Sequence, residues 1–210
     1  MKYRAEIDGL RALAVLPVIF FHAGFEFFSG GFVGVDVFFV ISGYLITTII
    51  ISEMTDDKFS IINFYERRAR RILPALYFLL IFASLYALLT SPIYARDIFQ
   101  SILATTVFAE NILLYIESSD YFDEVVGEKF LFHTWSLGVE EQYYIFFPIF
   151  LILFWSFGKK IVAWIILLLA LASFALSEWG WRNEPIANFY LAPTRAWELF
   201  AGSLIAFYLY

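Results

Sequence analysis

The sequence predicts an all-α protein, a polytopic bundle of transmembrane helices, on three observations. Apolar residues make up 61% of the chain and charged residues 16%, with a mean hydropathy of +0.76, whereas soluble domains have about half and about a quarter. The apolar residues come in continuous runs, not in the ten-residue alternation of barrel strands. Finally, 26 Phe, 13 Tyr and 6 Trp exceed what one water-soluble core buries, so many rings must face lipid or the headgroup belt.

Seven runs are long enough, or nearly so, to cross about 30 Å of hydrocarbon at about 1.5 Å per residue. They cover residues 10–28, 31–51, 72–89, 98–116, 139–157, 161–176 and 196–210. The first contains Arg11 and Pro17 and no small-residue cleavage site follows it, so it reads as an uncleaved span and not a signal peptide. Lys2 and Arg4 precede it, and Lys58, Arg67, Arg68, Arg70 and Arg71 fill the loop expected after the second run. The positive-inside rule therefore puts the N-terminus and that loop in the cytoplasm. Lys159 and Lys160 mark another cytoplasmic turn, and the acidic stretch 117–128 reads as extracytoplasmic. These assignments conflict in parity if every run crosses. The run 98–116, with Gln100, Thr105, Thr106, Glu110 and Asn111, is the one expected not to cross but to pack within the protein or at the interface.

No internal repeat or low-complexity linker divides the chain, which reads as one domain over residues 1–210. The absence of cysteine excludes a disulfide, a thiolate nucleophile and a cysteine-bound metal. No metal site is expected. Nucleic acid is not an expected partner either.

Four groups of residues could carry chemistry. Arg11 and His22 fall on nearly one helical face, about 16 Å apart. Ionisable groups in a span are costly and usually face the protein interior or a wet cavity; the competing reading has Arg11 snorkelling to headgroups and His22 capping the span. In the cluster Phe64-Tyr65-Glu66-Arg67-Arg68-Ala69-Arg70-Arg71, the guanidinium groups suit bidentate phosphate binding or contact with anionic lipid. In His133-Thr134-Trp135-Ser136-Leu137-Gly138-Val139-Glu140-Glu141-Gln142, two adjacent carboxylates enter a span. If the helix starts near Ser136 they sit in its first turns, where the macrodipole favours negative charge. Arg195 and Glu198, three apart, are placed to pair at the head of the last run, and Gly202 permits close helix contact.

This ordered set resembles the acyltransferase-3 family of bacterial membrane O-acyltransferases. The match rests on Ile7-Asp8-Gly9-Leu10-Arg11 with His22 following, on Gly34-Val35-Asp36-Val37-Phe38 running through Ser42-Gly43-Tyr44, and on the three later motifs. The resemblance implies transfer of an acyl group, commonly acetyl from cytoplasmic acetyl-CoA, to a hydroxyl of lipopolysaccharide, peptidoglycan or another glycan. Partners are then acyl-CoA, a glycan acceptor and the bilayer of the bacterial cytoplasmic membrane. It also implies site residues: His22 as general base or transient acyl acceptor, Glu140 or Glu141 orienting it, and Arg11, Arg67, Arg68 and Arg71 holding the donor. Asp8, Asp36, Ser42, His133, Trp135, Ser136, Gln142, Arg195 and Glu198 are implied as substrate or structural support. The family's domain resembles a bundle of about ten spans, so residues 1–210 are expected to form its N-terminal part, truncated at the C-terminus. A transporter or flippase of glycan intermediates is the alternative from another class, since intramembrane charges also line substrate pathways. An inactive truncated paralogue is a third reading.

Overall fold

The computed structural model describes residues 4–118 and 129–210, so most of the predicted acidic stretch lies outside the described residues. Among them every regular element is helical and none is a strand. In chain order they are α1 (Ala5–His22), α2 (Gly34–Thr55), α3 (Ile61–Ala87), α4 (Pro92–Thr106), α5 (Glu110–Glu117), α6 (Thr134–Phe154), α7 (Lys159–Asn183), α8 (Pro185–Tyr190) and α9 (Ala192–Leu209), with short 3-10 turns between some of them. Among the described residues four stretches are long and apolar enough to cross a bilayer: Gly31–Thr55, Ile61–Ala87, Thr134–Phe157 and Lys159–Asn183. The chain is thus an integral membrane protein. The helices α1 and α9 have 18 residues each but carry Glu6, Asp8 and Arg11, or Arg195 and Glu198, along their length.

Several expected boundaries change. The first helix ends at His22 instead of continuing to residue 28, and the chain turns through a 3-10 segment, Glu26–Phe28. The arginine cluster is not a loop: α3 begins at Ile61, with the Ser60 hydroxyl accepting from the Asn63 N–H at its start. A hydroxyl N-cap of this kind satisfies one of the donors a helix start leaves open. The run 98–116 is broken between Thr106 and Glu110, where Phe108 adopts φ 56°. Neither piece, at 15 and 8 residues, spans about 30 Å of hydrocarbon.

The chain forms two compact units. Unit 1 comprises residues 1–57, 143–177 and 193–210; unit 2 comprises 58–142 and 178–192. In unit 1, Ile7 and Ala14 of α1 pack with Ile41 of α2, bordered by Phe38, Tyr44 and Leu45. The α2 and α9 helices meet through glycine. An added Cβ on Gly43 would lie 2.0 Å from the Leu199 carbonyl oxygen, and one on Gly202 would lie 1.9 Å from that of Val40. Close backbone approach at small residues is how helices gain contact where lipid is as apolar as their side chains. In unit 2, Leu76, Leu80, Ala83 and Ala87 of α3 pack against Ile98 of α4 and Leu131.

Candidate functional site

In unit 1, Arg11 and His22 lie on the single helix α1, as expected, with Pro17 between them. The Arg11 guanidinium sits 5.5 Å from the Phe38 ring centroid and 3.8 Å from Asp8. His22 is the last residue of α1, exposed, with its ring edge-on to Phe21 at 5.0 Å. The helix C-terminus favours positive charge there. The expected Arg195–Glu198 pair forms at 3.3 Å, and Arg195 also bonds Asp36 on α2. Glu198 is buried and Arg195 lies over the Phe39 ring. This three-residue network, with Ser42 buried in α2, has the arrangement of a helix clamp. One turn further on, Ser203 receives the Thr47 hydroxyl at 2.7 Å and meets the Tyr143 hydroxyl at 2.6 Å.

In unit 2, helical periodicity sorts the arginines of α3. Phe64, Leu76, Leu80, Ala83 and Ala87 are its buried stripe, and Arg68, four after Phe64, falls on it. Arg67 and Arg71 are exposed and one turn apart, while Arg70 pairs with Glu66 at 2.7 Å. Arg68 is within electrostatic reach of Glu141, so the arginine motif and the tryptophan-serine-glutamate motif are brought together. Because α6 starts at Thr134, Glu140 and Glu141 are its seventh and eighth residues, about two turns in, and the helix start does not explain them. Both are buried, and Glu141 Oε1 accepts no hydrogen bond among the described residues.

The remaining residues of that motif build the surroundings. Trp135, Gly138 and Gln142 follow one face of α6. Trp135 packs against Phe189 at 4.6 Å and Tyr190 at 5.9 Å. Gln142 donates to the Phe108 carbonyl and to Asn111 Oδ1, both at 2.9 Å, and Asn111 donates to the Tyr190 carbonyl at 3.0 Å. A Cβ on Gly138 would lie 2.9 Å from Asn111 Oδ1. The motif therefore grips the break between α4 and α5, where the left-handed Phe108 leaves a carbonyl that needs a donor. Ser136 bonds the His133 carbonyl at 3.4 Å and His133 is exposed.

Glu110 is not among the site residues the sequence predicts. It is fully buried at the start of α5. Burial pushes its carboxyl up to about 7, opposed by the Ser101 and Thr105 hydroxyls and the Lys129 charge, while Glu117 adds to the rise. The only signal for it was a carboxylate inside an apolar run. Asn111 and Ser203 had no signal beyond polarity. Among the described residues no group of His, Cys, Asp and Glu is arranged to hold a metal.

The chain is a helical membrane protein with adjacent buried carboxylates, a first helix that ends on a histidine and an arginine cluster sorted by helical register. The family model described as an acyltransferase domain matches residues 4–210, and the chain belongs to this acyltransferase-3 family. It is 35% identical over 98% of its length to the peptidoglycan O-acetyltransferase OatA of Listeria monocytogenes, covering 34% of that protein. It is 39% identical over 70% of its length to the O-acetyltransferase OatA of Staphylococcus aureus, covering 24%. To the putative peptidoglycan O-acetyltransferase YrhL of Bacillus subtilis it is 33% identical over 98% of its length, covering 33%. The chain thus spans about a third or less of these relatives. No solved structure matches it.

Proposed function

We propose that this chain is the membrane part of an O-acyltransferase that moves an acetyl group from cytoplasmic acetyl-CoA to a hydroxyl of peptidoglycan. Residues 1–210 belong to one acyltransferase membrane domain in this reading. The observation that carries it is the 35% identity, over 98% of the chain, to a protein named for that reaction. The positive-inside rule puts the N-terminus and the arginine end of α3 at the cytoplasmic face of the cell membrane.

Acetyl-CoA supplies the activated thioester. Arg67 and Arg71, exposed and on one side of α3, bind its phosphates, because guanidinium groups stay charged and match phosphate oxygens in pairs. Arg11 adds positive charge on α1. Arg68 faces inward and is a positioning residue, drawn to Glu141. Of the adjacent glutamates, Glu141 is therefore assigned to the working face. His22 acts as general base: it takes the proton of the acceptor hydroxyl as that oxygen bonds to the acyl carbon, then returns it to the departing thiolate.

Membrane preparations of the complete protein given radiolabelled acetyl-CoA provide the test. His22→Ala should abolish label transfer to glycan with CoA binding within about twofold of the parent. Arg71→Ala should raise the acetyl-CoA KM by about tenfold, the worth of one charge-assisted hydrogen bond. Full transfer by His22→Ala would end the assignment.

A further inference from the structure

At the end of α3 opposite its arginines, unit 2 encloses a cavity of about 480 Å³. That volume is within the range of small-ligand sites, about 300–1,000 Å³. Its lining mixes aromatic and polar groups: Tyr86, Tyr94 and Phe130 with Asp97, Ser101 and Lys129. Tyr86 and Phe130 stack on each other at 5.0 Å and 15°, while Tyr94, also in the lining, is 68% exposed. Lys129 is bonded to Glu117, and its charge also acts on Glu110, which lies beside the Ser101 hydroxyl. Arg67 and Tyr86 are nineteen residues apart on one helix, about 28 Å, which matches the thickness of the hydrocarbon core. With the arginines at the cytoplasmic face, the cavity lies by the outer end of α3.

We propose that this cavity is a carbohydrate-binding subsite that takes a pyranose ring of the acceptor glycan. The inference rests on the acyltransferase reading for its orientation and acceptor class. Tyrosines of an interfacial belt lie singly along the headgroups; here three rings converge on a concavity that also holds a carboxylate, an ammonium and a hydroxyl. Such a set suits a sugar and little else. The slightly positive C–H face of a pyranose packs on the negative face of an aromatic ring. Its hydroxyls donate to the Asp97 carboxylate and to the Ser101 oxygen, whose own proton faces Glu110, and accept from Lys129, so donor and acceptor roles are complementary. A fatty acyl chain would leave those polar groups without partners, and a nucleotide phosphate would face Asp97 and Glu117.

The test uses the complete protein in nanodiscs with N-acetylglucosamine oligomers as the probe, and two readouts. Saturation-transfer NMR should show the oligomer binding the parent protein, with affinity reduced at least tenfold in both Tyr94→Ala and Asp97→Asn. Tyr94→Phe should bind as the parent does. Both side chains are exposed, so folding should survive; if Asp97→Asn fails to fold, the pair Tyr94→Ala and Tyr94→Phe decides. No binding by the parent, or equal binding by Tyr94→Ala, overturns the subsite. Label transfer from acetyl-CoA is measured on the same samples. A parent that binds the oligomer but transfers no label refutes the acyltransferase reading and leaves the subsite standing; one that transfers label while Tyr94→Ala binds unchanged does the reverse.

Discussion

Gly43→Ala should destabilise the protein by about 3 kcal/mol. The added Cβ would sit 2.0 Å from the Leu199 carbonyl oxygen, and 3.0 Å is the least that real Cβ atoms tolerate, so α2 and α9 must part by about 1 Å. A radial gap of that size forfeits a quarter to a half of each dispersion contact. The contacts at stake are those of fully buried Phe39, Ile46, Ile50 and Leu199. Overpacking of this kind costs about 1–3 kcal/mol. Stretching the Thr47–Ser203 bond across the same helix pair adds about 0.5–1.5 kcal/mol. Gly202→Ala meets the Val40 carbonyl oxygen at 1.9 Å and should cost as much. The double variant should cost less than the sum, since one separation relieves both overlaps. Gly30→Ala, where a Cβ meets nothing within 4 Å, is the control. Thermal unfolding in detergent should show midpoints about 6–12 °C lower for either helix variant, at about 2–4 °C per kcal/mol, and no change for the control. If Gly43→Ala melts with Gly30→Ala, the close crossing of these helices is wrong.

Two further outcomes follow from the buried charges. Arg195→Met leaves Asp36 and the buried Glu198 without their cation and should cost about 3–5 kcal/mol; adding Glu198→Gln should restore a good part of it, which urea or thermal unfolding will show. The Glu110 carboxyl, held near 7 by burial, should make stability fall as pH rises. Below about 4.5 the group is neutral folded and unfolded alike, and above about 7 the penalty, about 3 kcal/mol, is complete. Glu110→Gln should therefore be more stable than the parent at pH 8 and no more stable at pH 4. A difference that stays flat across that interval would show that Glu110 is not buried as a lone carboxyl.

The fold class is legible because continuous apolar runs with so few charges would aggregate in water and are stable chiefly in a bilayer, and the Arg11, His22 and Arg195–Glu198 placements follow from helical spacing alone. The arginine cluster misleads because dense charge reads as loop. Yet its register is present in the sequence: Phe64 and Arg68 lead directly into Leu76, Leu80, Ala83 and Ala87, all on one stripe. The break at Phe108 is not legible, since Val107, Phe108 and Ala109 include neither glycine nor proline and a bulky residue at positive φ runs against intrinsic preference. What holds it there is tertiary: Gln142, 34 residues away, donates to its carbonyl. The Asp36–Arg195 bond spans 159 residues, and no local pattern encodes such a pairing.

The carboxylates divide by how their charge is met, and the role proposed for Glu141 follows that division. Asp36 and the buried Glu198 share one guanidinium in direct contact in unit 1, an arrangement that locks α2 to α9 and commits both charges to structure. Glu141 has an arginine only at electrostatic range, and one of its oxygens is buried without a hydrogen bond, which costs about 1–3 kcal/mol for a polar atom so placed. Packing does not require that cost, because Gln142, the next residue, already grips the α4–α5 break. A group held at a disadvantage beside a neighbour that completes the structural work is where strain and function usually coincide. The same reasoning predicts that Gln142→Ala should unfold the break and lower stability, whereas Glu141→Gln should keep or raise stability and lose transfer. If both variants simply destabilised, the two residues would share one structural role and Glu141 would lose its claim on the reaction.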